Sequence, residues 1–226
     1  MTRLARSRDV CFTSLELKKT SRPEIPRKAI YRLSIYLRCL LRLKANAIRT
    51  VSSEALARAA GVKPTQLRKD LTYFGQFGTR GLGYDVQQLA RMITDVLGTN
   101  SLQPVVLIGV GNLGSALLAY RGFEPEGFEI VAAFDVEAER RKVKAAGKPV
   151  LDMAQLPEFV RSHAVRMAIV TVPATAAQEV ANTLVQCGIV GILNFAPIVL
   201  QVPEEVMVNN VNLAIELENL SYFIQG

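Results

Sequence analysis

The 226-residue chain has no tryptophan, one histidine and three cysteines. Each scarcity excludes something. Cys11, Cys39 and Cys187 lie far apart, are odd in number and form no C-x-x-C pair. That argues against a disulfide framework and a cysteine zinc site, and for a reducing, cytoplasmic setting. A lone imidazole, His163, excludes chemistry that needs two. No run of ~18 uncharged apolar residues is present, so a spanning helix is excluded. The basic N-terminus has neither the apolar stretch nor the small-residue cleavage site of a secretory signal. No metal site and no catalytic centre is expected. What the chain does have is 50% apolar residues, enough for one large domain or two small ones.

Its charge is divided unevenly. Residues 1–100 carry 19 Lys and Arg against 7 Asp and Glu, a balance of +12, whereas residues 101–226 carry 8 against 13, a balance of −5. A basic module for a polyanion joined to a module of other purpose fits this pattern.

Residues 1–26 are basic and broken by Pro23 and Pro26, and are expected to form a mobile leader, with one helical turn near Leu15 to Lys19. From Arg27, Ile30, Leu33, Leu37, Leu40 and Leu41 recur at helical spacing. A second helix should begin near Ser52 with Glu54 in its first turn, and stop at Gly61. Pro64 should open a third helix that runs to about Phe74. Gly75, Gly78, Gly81 and Gly83 bracket apolar and aromatic residues, as in a tight hairpin. A further helix is expected over Val86 to Leu97. After Pro104, apolar runs at Val105 to Ile108, Glu129 to Phe134, Met167 to Val172 and Ile189 to Leu193 alternate with helical patterns. The predicted fold class is α/β, with a doubly wound parallel sheet after a helical N-terminal module. Domains are expected at 27–98, 99–208 and 209–226.

Gly109-Val110-Gly111-Asn112-Leu113-Gly114 matches G-x-G-x-x-G between the first strand and a helix over Ser115 to Tyr120. In that context the turn is a dinucleotide signature, with the pyrophosphate on the helix N-terminus. Asp135 lies twenty-one residues beyond Gly114, at the end of the next strand, where a carboxylate can accept the ribose hydroxyls of NAD and repel the 2′-phosphate of NADP. Arg140 and Arg141 nearby temper that exclusion. Thr171-Val172-Pro173 and Asn194-Phe195-Ala196 follow strand ends and suit an apolar nicotinamide slot. His163 falls at the wrong end of the sheet for a ligand.

Leu56, Ala57, Gly61, Val62, Leu67 and Leu71 have helix-turn-helix spacing, within about Leu33 to Thr72. Thr65, Gln66, Arg68 and Lys69 should then face outward, towards base edges or phosphates. Arg80 would sit on a wing beside the duplex. A helical protein–protein module is the competing reading of these residues. An NAD-dependent oxidoreductase and a CoA-binding ligase-like domain compete for the second half.

The run Arg68-Lys69-Asp70-Leu71-x-Tyr73-Phe74-Gly75-x-Phe77-Gly78-x-Arg80-Gly81-x-Gly83-Tyr84 resembles the winged-helix signature of the Rex family of redox-sensing transcriptional repressors. Val106 to Gly114, Thr171 to Ala174, Ile192 to Pro197 and Leu213 to Leu217 extend the resemblance over about residues 27–226. It implies an N-terminal winged helix on a palindromic operator, with Lys63, Thr65, Gln66, Arg68, Lys69, Tyr73, Thr79 and Arg80 at the DNA. It also implies a Rossmann domain sensing NADH against NAD⁺, with NADH releasing DNA, and a homodimer that exchanges its last helix. The stripe Leu213, Leu217, Leu220 and Ile224 independently needs a surface to cover it, the partner's or its own Rossmann domain's. The family usually has an aspartate at the position of Asn212, which interacts with a tyrosine matching Tyr120. Asparagine keeps the hydrogen bonding and loses the charge.

Overall fold

The computed structural model describes residues 25–79, 81–138 and 147–224. Nearly all of the expected leader, together with Arg80, Arg140 and Arg141, lies outside the described residues. The chain divides into two units, one ending at Ile93 and the other beginning at Thr94, inside a helix.

In the first unit, α1 (Arg27–Ala45) buries Ala29, Leu33, Tyr36, Leu37 and Leu40. Their three- and four-residue spacing makes one stripe. That stripe is centred differently from the predicted one, since Leu41 is 40% exposed and Tyr36 is fully covered. Strand β1 (Thr50–Val51) leads into α2 (Ser53–Ala59). The Ser52 hydroxyl caps α2 by accepting from the Ala55 N–H at 3.1 Å. Helix α3 (Pro64–Thr72) starts on Pro64, where no backbone donor is needed, and buries Leu67, Asp70 and Leu71. Thr79 and Gly83 then exchange backbone hydrogen bonds of 2.9 and 3.1 Å, which closes the expected tight turn. The returning strand β2 (Tyr84–Asp85) pairs antiparallel with β1. Sequence pattern does not assign β1, because a two-residue strand has no period to read. Helix α4 (Val86–Leu97) turns Val86, Leu89, Ala90 and Ile93 inward.

The second unit is a parallel six-stranded sheet with α-helices between most successive strands. In chain order its elements are β3 (Gln103–Ile108), α5 (Asn112–Ala119), β4 (Phe128–Phe134), β5 (Val150–Leu151), α6 (Leu156–Ser162), β6 (Met167–Val170), α7 (Ala174–Gln186), β7 (Gly191–Asn194), β8 (Met207–Asn210) and α8 (Leu213–Ile224). The sheet order is β5-β4-β3-β6-β7-β8, and every pairing is parallel. Strand order therefore reverses at β3 and β6, the switch point beside which such sheets bind ligands. Strand residues alternate between two cores. Val106, Ile108, Phe134 and Val170 meet Leu156, Ala177 and Leu184 on one face. Val105, Leu107, Ile130 and Ile169 meet Leu118 and Ala138 on the other. Covering both faces explains why the strands read as continuous apolar runs. The edge strands β5 and β8 are not legible as such runs. Along β8 only Val208 is partly buried.

Candidate functional site

The glycine turn joins β3 to α5 at the switch point. Two of its glycines are demanded by the fold. Gly109 has φ of +95°, and a β-carbon there would press on Val172 Cγ1 at 2.9 Å. A β-carbon on Gly114 would collide with the Gly109 carbonyl oxygen, so glycine allows α5 to lie against the strand end. Gly111 is different. Its φ of −72° suits any residue, and a β-carbon would meet nothing within 4 Å. Folding does not require glycine at 111, whereas close approach of an outside group to the backbone does. Gly111 is also the N-cap of α5 and supplies no side-chain acceptor to the exposed Asn112 and Leu113 that follow. First-turn N–H groups without a cap, at the positive end of the helix dipole, suit a pyrophosphate.

Asp135 reaches back to this turn. Its Oδ2 accepts from the N–H of buried Val110 at 2.7 Å, and its Oδ1 accepts from Glu137 N–H at 2.8 Å. The carboxylate thus shapes the turn.

On the other side of the switch point, the Thr171 hydroxyl lies 2.7 Å from the Gly109 carbonyl and 3.1 Å from that of Ile108. It ties β6 to the glycine turn. Val172 is half-buried, and Pro173 is the exposed N-cap of α7. Asn194 is fully buried. Its amide nitrogen faces the carbonyls of Ala196 and Ile198 and the Oδ1 of Asn210, and its Oδ1 accepts from Ala196 N–H. This side chain organises the loop carrying Phe195 and Ala196. Its amide is committed to these bonds within the fold. Tyr120 is 59% exposed at the end of α5, edge-on to Phe123 with centroids 5.0 Å apart. His163 sits at the C-terminal end of α6, its ring stacked on Phe159 at 3.9 Å. That is the sheet end opposite the glycine turn, as expected.

In the first unit, Thr65, Arg68 and Lys69 are exposed on α3, with Lys63 exposed just before it. Tyr73 is half-buried at the C-cap of α3, and Thr79 is exposed in the tight turn. Arg68 leans towards the first turn of α2, donating to Ser53 Oγ at 2.9 Å and Glu54 Oε1 at 3.2 Å. It forms one wall of a cleft of about 660 Å³ shared with Phe77, Thr79 and Tyr84. Gln66 is half-buried rather than fully outward, and its amide donates to Asp70 Oδ1 at 2.8 Å.

Asp70 is the centre of a network that the sequence reading did not identify. It is 1% exposed. The Arg32 guanidinium holds it bidentately, Nε to Oδ2 at 2.6 Å and Nη2 to Oδ1 at 2.7 Å, and the Tyr36 hydroxyl donates to Oδ2 at 2.8 Å. Burial pushes the Asp70 carboxyl up, but the hydrogen bonds from Arg32, Tyr36 and Gln66 outweigh it and hold the group below its ordinary value. Burial, then the bond to Asp70, pushes the Tyr36 hydroxyl up. A signal was available. Leu67, Asp70 and Leu71 share one helical face, and a carboxylate on an apolar face needs a cationic partner.

Residues 24–72 match a family model described as a putative DNA-binding protein N-terminus, and residues 100–198 match one described as a CoA binding domain. The redox-sensing transcriptional repressor Rex of Pelotomaculum thermopropionicum is 47% identical over 88% of this chain and 93% of its own length. The chain belongs to the Rex family. The Rex of Streptomyces coelicolor is 45% identical over 89% of this chain and 78% of its own. A crystal structure of RSP in complex with beta-NAD+ and operator DNA aligns with a TM-score of 0.83 at 35% identity, covering 89% of this chain and 93% of the other. One with beta-NADH aligns at 0.79 and 34%, covering 89% and 95%.

Helix α8 is the last described element. No described residue of this helix is buried. Leu213, Leu217, Leu220 and Ile224 are 61–79% exposed, as are Tyr222 and Phe223 beside them. Packing of the stripe on the chain's own Rossmann unit is therefore not what the structure contains. Asn212 lies just before the helix, with its Oδ1 accepting from Ala214 N–H at 3.0 Å. Asparagine caps a helix about as well as aspartate, so the departure from the family leaves this start intact.

Proposed function

We propose that the chain is a transcriptional repressor that binds operator DNA as a homodimer and releases it when NADH binds, acting by binding rather than turnover in the cytoplasm. The open space over Gly111 carries the nucleotide half of this reading. The turn, its uncapped helix and Asp135 together fit a dinucleotide. Backbone N–H groups of α5 would hold the pyrophosphate, Asp135 the adenosine ribose, and the loops after β6 and β7, at Val172, Pro173, Phe195 and Ala196, the nicotinamide. Bound there, the nicotinamide supplies a redox state to be read. A carboxylate at Asp135 disfavours nucleotides with a ribose phosphate, CoA and NADP alike.

The DNA half rests on Lys63, Thr65, Arg68, Lys69 and Tyr73 around α3, with Thr79 in the tight turn that follows. An extended apolar helix marks an interface. The homodimer rests on α8, its apolar surface covered by exchange between subunits. A ligand shifts DNA affinity only through its different affinity for two dimer arrangements, and a helix shared across the interface is placed to distinguish them. Titration of NADH, NAD⁺, NADPH and CoA against the protein on labelled operator DNA tests the reading. NADH alone should release DNA at low concentration. Release by CoA, or none by NADH, refutes it.

A further inference from the structure

We infer that Gln66 is a specificity-determining residue that reads a base presenting an exocyclic amino group in the major groove, because Asp70 dictates which end of its amide faces out. This rests on the DNA-binding reading above and adds the class of base.

The valences of Asp70 set what Gln66 can offer it. An ionised carboxylate accepts and cannot donate. Four donors converge on it, from Arg32 twice, Tyr36 and Gln66. The Gln66 side chain can join that set only through its NH₂ group. A free glutamine turns its amide to suit either a donor or an acceptor. This one would lose its bond to Asp70 by turning. The carbonyl Oε1 and one remaining N–H are what Gln66 has left to offer.

Gln66 lies in the first turn of α3, where recognition helices meet base edges. It is half-buried, so its inner end is committed while part of it stays at the surface. An outward carbonyl needs a donor opposite it. In the major groove adenine offers N6 and cytosine N4, whereas guanine and thymine present acceptors. Adenine also offers N7 to the remaining N–H. The shared chemistry is the exocyclic amine, and asparagine or glutamine on adenine is its bidentate form.

The experiment uses the full-length protein. Operators are selected from a random pool by wild type and by Gln66→Met, which keeps the side-chain length and removes its hydrogen bonds. Synthetic operators then lack the amine at each selected adenine or cytosine, with purine or 2-pyrimidinone in its place. Wild type should lose about 5- to 150-fold in affinity at one position per half-site. Gln66→Met should lose nothing there and accept other bases at that position alone. Loss at an adenine or at a cytosine identifies the base. Indifference of wild type to every amine overturns the inference, as does a Gln66→Met preference identical to wild type. The amine-deletion arm needs no variant, so misfolding of Gln66→Met does not rescue the idea. Failure of wild type to select any sequence overturns the DNA-binding reading itself, and is distinguishable on that ground.

Discussion

Gly111→Val separates a glycine kept for a ligand from one kept for the fold. A β-carbon at Gly111 meets nothing within 4 Å, and its φ is −72°, so the first atom of a side chain introduces neither clash nor backbone strain. Replacing glycine as N-cap of α5 should cost about 1 kcal/mol or less. The new side chain fills the space through which a pyrophosphate approaches the helix. Each hydrogen bond to a charged group contributes about 1.5–3 kcal/mol, so loss of even one weakens NADH binding about 12- to 160-fold. Gly114→Ala is the contrast. Its β-carbon collides with the Gly109 carbonyl, and α5 must move away from β3. Overpacking of that kind costs about 1–3 kcal/mol. Calorimetric titration with NADH and thermal melts of wild type and both variants give the comparison. The expected pattern is lost binding with near-native melting for Gly111→Val, and losses in both for Gly114→Ala. Unchanged NADH affinity in Gly111→Val refutes the placement of the pyrophosphate. Melting depressed as far as in Gly114→Ala refutes the claim that the space above Gly111 is open.

Arg32→Met strands a buried carboxylate and should destabilise the first unit by about 3–5 kcal/mol, measured by denaturant unfolding. The Asp70 carboxyl is held below its ordinary value of 3.8 in the fold, so its contribution is complete above that pH and disappears as pH falls through the lower folded value. Circular dichroism between about pH 5 and 2 should accordingly show a smaller acid loss for Asp70→Asn than for wild type. The Arg68–Glu54 pair is exposed, at 50% and 60% for its two side chains, so Arg68 can exchange it for phosphate. Arg68→Ala with Lys69→Ala should weaken operator binding and lower the salt slope by about one per lost phosphate contact, and unchanged affinity would contradict the recognition-helix assignment. Deleting residues 210–226 should yield monomers in sedimentation or uncouple NADH from DNA release, whereas an intact, responsive dimer would remove α8 from the switch.

Local chemistry determined much of this protein from its sequence alone. Ser52 caps α2, Pro64 opens α3, and the glycine turn follows an apolar strand, because each signal acts within a few residues of itself. Continuous apolar runs named the interior strands, since parallel strands are buried on both faces. Tertiary structure decided what depends on distant partners. β1 is a strand only because Tyr84 and Asp85 return to it. β5 is only two residues long, and β8 is too slightly covered to carry a pattern. Gln66 turns partly inward because Arg32, two helices earlier, neutralises Asp70. Asn194 is a loop organiser because Asn210 and the carbonyls of its own loop surround it. Asp135 grips Val110, 25 residues before it, a bond that exists only once β3 and β4 are aligned. Periodicity reports which face is apolar. It does not report which polar group on that face has found its partner, because those partners are brought close by the packing of whole helices and strands.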